Sequence, residues 1–247
     1  MLPILVINLD RSKERWEKIS ASARQSKSLI RRVAAVDGAE IPPDAWVGFD
    51  AGLFRRNHGK VALAGEYGCY RSHLRAFAEI VENGDELAVI AEDDVVLNGD
   101  LEKRVRALFE ARPSMGLLKL VNHRVKGFVR YGTSRLGDDY GRCMHGPQGS
   151  SACYVVTRQA AGQLLQKLDP MSLPYDVALD RGWATGVETF TTRHPLVAFE
   201  GESRSITTVG SRQDYGSVKI PAFKRLGALS FRTRDYLARV VYALAGR

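Results

Sequence analysis

An α/β fold with a mostly parallel central sheet is what this 247-residue chain predicts, on three observations. Continuous apolar runs such as PILVINL (3–9) have the character of strands buried on both faces. Segments of helical periodicity alternate with those runs along the chain. Polar and acidic residues stand where several runs end, at the strand edge where such sheets bind ligands.

The elements follow in order. After residues 3–9, Asp10 or Ser12 is placed to cap a polar helix from Lys13 to about Gln25. LIRRVAAVDG (29–38) is a second strand closing in a turn. From Glu66 to Val81, the apolar residues Tyr67, Tyr70, Leu74, Phe77 and Val81 step by three and four, and Asn83-Gly84 stops the helix. Ser72 and His73 fall off that apolar face, which predicts that they lie outside the core. Further strands are expected at ELAVIAE (86–92), GLLKLV (116–121), ACYVVT (152–157) and VETFTT (187–192), with Thr157 capping the helix RQAAGQLLQKL (158–168). LGDDYGRCMHGPQGS (136–150) holds four glycines and a proline, so a mobile loop is expected there. His145 and its glycines either close over a ligand or form a plain connection.

A hydrophobic content of 45% with 26% charged residues is that of a soluble globular protein. Cys69, Cys143 and Cys153 form no CxxC, and three thiols leave one over from any pairing, as in a reducing, cytosolic setting. MLPILVINL carries no basic residue and no cleavage site, and no run reaches 18 apolar residues. The chain is therefore expected neither to be exported nor to span a membrane.

The net charge of +8 is uneven: residues 219–247 hold seven basic residues against Asp235 alone. A nucleic-acid binder would spread its charge differently. In that tail Phe223, Leu226, Leu237, Val240 and Leu244 follow helical spacing, and Arg225, Arg232 and Arg239 recur every seven residues beside them. Two arrangements fit. Either the helix lies in an anionic membrane surface, or it docks on the domain with its arginines in solvent.

The acids of LAVIAEDDVVL (87–97) pose the sharpest question. Carboxylates at the end of a buried strand need a partner. In an extended segment Glu92 and Asp94 share one side and Asp93 takes the other. Two hard oxygen ligands on one face suit Mg²⁺ or Mn²⁺. No HxxxH, CxxC or clustered histidines offer a zinc site, and neither GxGxxG nor GxxxxGK[ST] occurs. A carboxylate-held metal without a P-loop points to the diphosphate of a nucleotide-sugar.

Taken together, INLDRSKERW (7–16), AVDG (35–38), GEYGCYRSHLRAF (65–77), AVIAEDDVVL (88–97), SACYVVTRQAAGQLL (151–165), LPYDVALDRGW (173–183) and SRSITT (203–208) resemble glycosyltransferase family 25. That family includes bacterial lipopolysaccharide and lipooligosaccharide transferases, often β-galactosyltransferases. The resemblance implies a GT-A-like fold, a UDP-sugar donor, a divalent metal (usually Mn²⁺) and inversion at the anomeric carbon. It further implies that Asp94 is the main metal ligand, with Glu92 or Asp93 at the metal shell or the ribose. Asn8, Asp10, Arg11, Asp37 and Gly38 would line the uridine pocket, and Glu66, Ser72 and His73 would lie near the donor.

Inversion needs a base to deprotonate the acceptor hydroxyl. Asp176 and Asp180 stand four apart after LPY; Asp176 is the first candidate, with Asp180 and Glu188 as competitors and an ordinary helix cap as the plain explanation. On this reading residues 1–215 form the catalytic domain (nucleotide part about 1–100, acceptor part about 110–215), and 216–247 are a basic amphipathic tail. The expected partners are a UDP-sugar, a glycolipid or oligosaccharide acceptor and, through 219–247, the inner face of a bacterial inner membrane. A sugar-nucleotide nucleotidyltransferase is the first alternative, although LDRSKERW (9–16) lacks the glycine-rich loop it needs. A non-catalytic, membrane-associated module on the same fold is the second.

Overall fold

β1 (Ile4–Asn8) is buried along its whole length because β2 (Ile30–Ala34) and β3 (Leu87–Glu92) flank it, both parallel to it. The computed structural model describes residues 1–200 and 226–245. SRSITT (203–208), Phe223 and Arg225 therefore lie outside the described residues. The remaining strands are β4 (Val95–Val96), β5 (Leu117–Lys119), β6 (Lys126–Thr133), β7 (Asp139–His145), β8 (Cys153–Thr157), β9 (Thr189–Thr192) and β10 (Ala198–Phe199). Eight of them form one sheet in the order β2-β1-β3-β8-β5-β9-β7-β6, and β4 pairs with β10 apart from it.

The sheet is mixed, which corrects the expectation of a mostly parallel one. β8 runs antiparallel between β3 and β5, and β7 and β6 add two more antiparallel pairings at the edge. A central strand buried on both faces reads as an apolar run whichever way it points, so CYVVT gave no sign of its direction.

Helices cover both faces. Ala88 and Ile90 of β3 join a core with α3 (Ala64–Asn83) and α5 (Arg158–Lys167), while Val89 and Ala91 face α1 (Lys13–Ser26) and α4 (Leu101–Ala111). This alternation is the period of two of a strand sandwiched between layers. Ser12 stands at the N-cap of α1 without a side-chain bond, whereas Thr157 caps α5 by accepting from Ala160 N at 3.2 Å. Gly84 closes α3 at φ 70°, as Asn83-Gly84 predicts.

α2 (Ala51–His58), α4 and the β6–β7 hairpin escaped the sequence reading. The expected mobile loop at 136–150 is instead β7 over Asp139–His145, paired along β6. Its Gly141 admits close backbone approach, since a Cβ there would meet Val129 O at 2.1 Å.

Two short helices, α6 (Tyr175–Leu179) and α7 (Gly182–Thr185), precede β9, and α8 (Leu226–Leu244) packs along β7 and α2. α8 inverts the expected arrangement of its faces. Arg239 is 4% exposed and turns inward, while Leu226, Leu229, Leu237 and Val241 are each more than half exposed. The reason is charge: Asp180 and Asp235 wait inside for Arg239, and Asp235 also pairs with Arg181 at 2.7 Å.

Candidate active site

The carboxyl ends of β1, β2 and β3 converge on one edge of the sheet. Asn8 closes β1: its Nδ2 donates to Asp93 Oδ2 at 2.6 Å, and its Oδ1 accepts from Arg32 Nε at 2.9 Å. Arg32 also reaches Asp10, which is otherwise well exposed. Arg15, in the first turn of α1, pairs with Asp93 at 2.6 Å and stands 3.7 Å from Asp94.

The strict alternation expected of the three acids does not hold. β3 ends at Glu92, and Asp93-Asp94 form the turn before β4. Asp93 and Asp94 thus share Arg15. Glu92 turns instead to His73, 3.4 Å away, and accepts from Ser151 Oγ at 2.9 Å.

A pocket opens beside these acids, lined by Arg11, Arg15, Asp37, Gly38, Ser72, His73, Glu92 and Asp93, with Cys69 at its wall. Arg11 pairs with Asp37 at its rim. Gly38 is there because a Cβ would collide with the Ala64 carbonyl, so this turn packs directly on α3. Ser72 fastens the same junction, donating to Gly68 O at 2.6 Å and accepting from Val36 N at 2.8 Å. Ser72 and His73 are both fully buried, which corrects their placement outside the core: the face opposite the apolar stripe of α3 is covered by the β2 turn and the strand ends. Glu66 folds back on its own helix, accepting from Leu63 N at 2.9 Å, and is not among the pocket residues.

Burial sets the electrostatics. It pushes Asp94 up to about 7, helped by the Glu92 charge and opposed by Arg15. Asp93 is raised by burial against the pull of Asn8 and Arg15. For Glu92 burial is outweighed by His73 and Ser151, and the carboxyl lies below its ordinary range. Asp94 Oδ1 is buried without a hydrogen-bond partner among the described residues. A buried, uncompensated carboxylate oxygen beside two further acids fits a hard divalent cation.

The three base candidates are not equivalent. Asp180 is buried, with Oδ1 2.6 Å from Lys119 Nζ and Oδ2 accepting from Gln148 N at 2.8 Å. Both its oxygens are engaged. Glu188 lies at the opposite edge of the sheet, where its carbonyl receives Gly116 N and its carboxylate meets Arg112 at 2.5 Å. Asp176 is partly exposed in the first turn of α6, and among the described residues its carboxylate accepts one hydrogen bond, from Val177 N at 2.9 Å. Burial and the Asp180 charge raise its pKa. His145 sits away from the pocket, stacked on Tyr236 of α8.

Sequence reasoning missed Arg15, Lys119, Ser151 and Cys69. Arg15 lies inside a quoted motif but looks like any helix-surface arginine. Lys119 hides in an apolar strand, where its neighbours give no hint of Asp180, 61 residues away.

A layered α/β fold that gathers acids and a pocket at its carboxyl strand ends is consistent with a GT-A-like glycosyltransferase. The family profile described as Glycosyltransferase family 25 (LPS biosynthesis protein) matches residues 1–179. This chain belongs to glycosyltransferase family 25. It is 24% identical over 176 residues to a glycosyltransferase 25 family member of Aedes aegypti, covering 66% of this chain and 28% of that protein. It is 25% identical over 118 residues to procollagen galactosyltransferase 1 of Danio rerio, covering 46% and 20%. The human inactive glycosyltransferase 25 family member 3 is 32% identical over 111 residues, covering 43% and 19%. The chain thus spans less than a third of the length of these relatives.

Proposed function

We propose that this protein transfers a hexose, most simply galactose, from a UDP-sugar to a glycan acceptor of the lipopolysaccharide or lipooligosaccharide kind, with inversion. The observation that carries the reading is the buried Asp94 Oδ1, without a hydrogen-bond partner among the described residues, next in the chain to Glu92 and Asp93, which line the pocket. Asp94, with a second oxygen from Glu92 or Asp93, would hold Mn²⁺ or Mg²⁺. A divalent cation at that position supplies positive charge to a departing diphosphate.

The chain's own residues do the rest. Arg11 and Arg15 offer the pocket two guanidinium groups, suited to phosphate oxygens. Asp37 lines the rim as an acceptor for ribose or uracil. Asp176, raised by burial, takes the proton of the acceptor hydroxyl as it attacks the anomeric carbon.

The same proposal extends to where the protein works. α8 presents Leu226, Leu229, Leu237, Val241 and Leu244 to solvent, with Arg232 and Arg234 exposed beside them. An apolar ridge flanked by arginines suits the inner face of an anionic bilayer, where a lipid-borne acceptor resides. No helix among the described residues is long and apolar enough to cross a membrane.

The test is UDP release from a panel of UDP-sugars, with Mn²⁺ and with EDTA, for wild type and Asp94→Asn. Metal-dependent release from one sugar, abolished in the variant, is expected. No UDP binding by calorimetry, with or without metal, overturns the reading.

A further inference from the structure

Cys69 and His73 stand one turn apart on α3, so both side chains leave the same face of the helix. Glu92 arrives at the same point from the end of β3. Cys69 Sγ, a ring nitrogen of His73 and a Glu92 carboxylate oxygen all lie within 4.8 Å of one another.

Outer partners hold two of the three. The Tyr154 hydroxyl meets His73 Nδ1 at 2.9 Å, and the Tyr175 ring stacks on the imidazole at 4.1 Å. Ser151 fixes Glu92 Oε1. Such partners orient ligands in metal sites and select the imidazole tautomer. His73 Nε2 remains buried with no hydrogen bond among the described residues, 3.4 Å from Glu92 Oε1. That spacing is long for a hydrogen bond but close to the edge, about 3.3 Å, of a tetrahedron built with zinc–nitrogen and zinc–oxygen bond lengths.

Thiolate, imidazole and carboxylate together are donors for a borderline-soft cation, whereas Asp94 and its neighbours offer oxygen alone. We propose that Cys69, His73 and Glu92 form a site for a thiophilic divalent cation, with Zn²⁺ chemistry, distinct from the oxygen position at Asp94, whose second carboxylate is then Asp93 rather than Glu92. On binding, the Cys69 thiol gives its proton to solvent and its sulfur to the metal, while His73 Nε2 contributes its lone pair. All three residues line the pocket. The inference does not depend on the transfer reaction.

Its test needs no sugar donor. Metal-free protein is titrated with Co²⁺, a spectroscopic stand-in for Zn²⁺. One equivalent should bind with a thiolate-to-cobalt charge-transfer band and tetrahedral visible bands, and one equivalent of Zn²⁺ should displace it. Cys69→Ala should lose the charge-transfer band, whereas Cys143→Ala should keep it. X-ray absorption at the zinc edge of wild-type protein, which needs no variant to fold, should find one sulfur among the ligands. Absence of sulfur, a band that survives Cys69→Ala, or an all-oxygen cobalt spectrum lost in Asp94→Asn overturns the proposal.

Discussion

Asn8 and Asp93 are joined by a 2.6 Å hydrogen bond that ties the end of β1 to the turn after β3. Arg32 donates to the amide oxygen of Asn8, so its nitrogen is the end that faces the acid. One amide thereby satisfies a cation on one side and a carboxylate on the other.

Replacing Asn8 by Asp sets two carboxylates against each other in a buried place. The variant should lose about 1–3 kcal/mol of stability in urea unfolding, the cost of an unsatisfied buried polar pair. An unchanged midpoint would mean that the Asn8 link contributes nothing.

Asp176→Asn keeps the shape of α6 and removes only the proton acceptor. Turnover should fall by roughly 10²–10⁴, the usual contribution of a general base, with the KM for the donor nearly unchanged. Full activity in the variant assigns the base elsewhere.

Asp180 behaves differently because it is a structural charge. Lys119→Met alone strips its closest partner and should cost about 3–5 kcal/mol. Adding Asp180→Asn should recover at least half of that loss, since the amide still accepts from Gln148 N. A thermal-unfolding series of the two single variants and the double variant reads this directly.

His58 ends α2 beside Phe54, and its carbonyl accepts from Arg232 of α8. Burial, then Lys60 and Arg232, lower its pKa from 6.5 to about 4. Between those values the unfolded chain binds the extra proton, so stability rises with pH across this window. The contribution is complete above about 6.5 and is lost as pH falls toward 4. Partial solvent exposure of the ring limits it to about 1–3 kcal/mol. Urea midpoints at pH 7 and 4.5 should differ less in His58→Gln than in wild type.

The exposed ridge of α8 makes a prediction of its own. Leu237→Glu with Val241→Glu should leave folding intact, because both side chains face solvent. Co-sedimentation with vesicles rich in phosphatidylserine should drop at least tenfold, and wild type should ignore vesicles of phosphatidylcholine alone. Equal sedimentation of variant and wild type rules out this face as the contact.

Much of the site was legible because its residues fall at strand ends and in short local motifs. Asn8, Asp37 and Glu92–Asp94 each close an apolar run, and their positions followed from counting along strands. Helix ends were legible for the same reason: Thr157 and Gly84 act on bonds within a few residues of themselves. The burial of Ser72 and His73 was not, since what covers them comes from β2, β3 and β8 rather than from α3. Nor was the direction of β8, whose apolar residues read the same both ways.

The sequence by itself determined the core strands and the helices α1, α3 and α5, the acids that end β3 and, through the order of its motifs, the family. Only the tertiary structure decided which carboxylates are spent. Asp180 is consumed by Lys119, Gln148 and Arg239, the last from α8, while among the described residues Asp176 accepts one side-chain bond and Asp94 Oδ1 none. Charges pair by distance in space, and 61 residues of chain separate Lys119 from the acid that claims it.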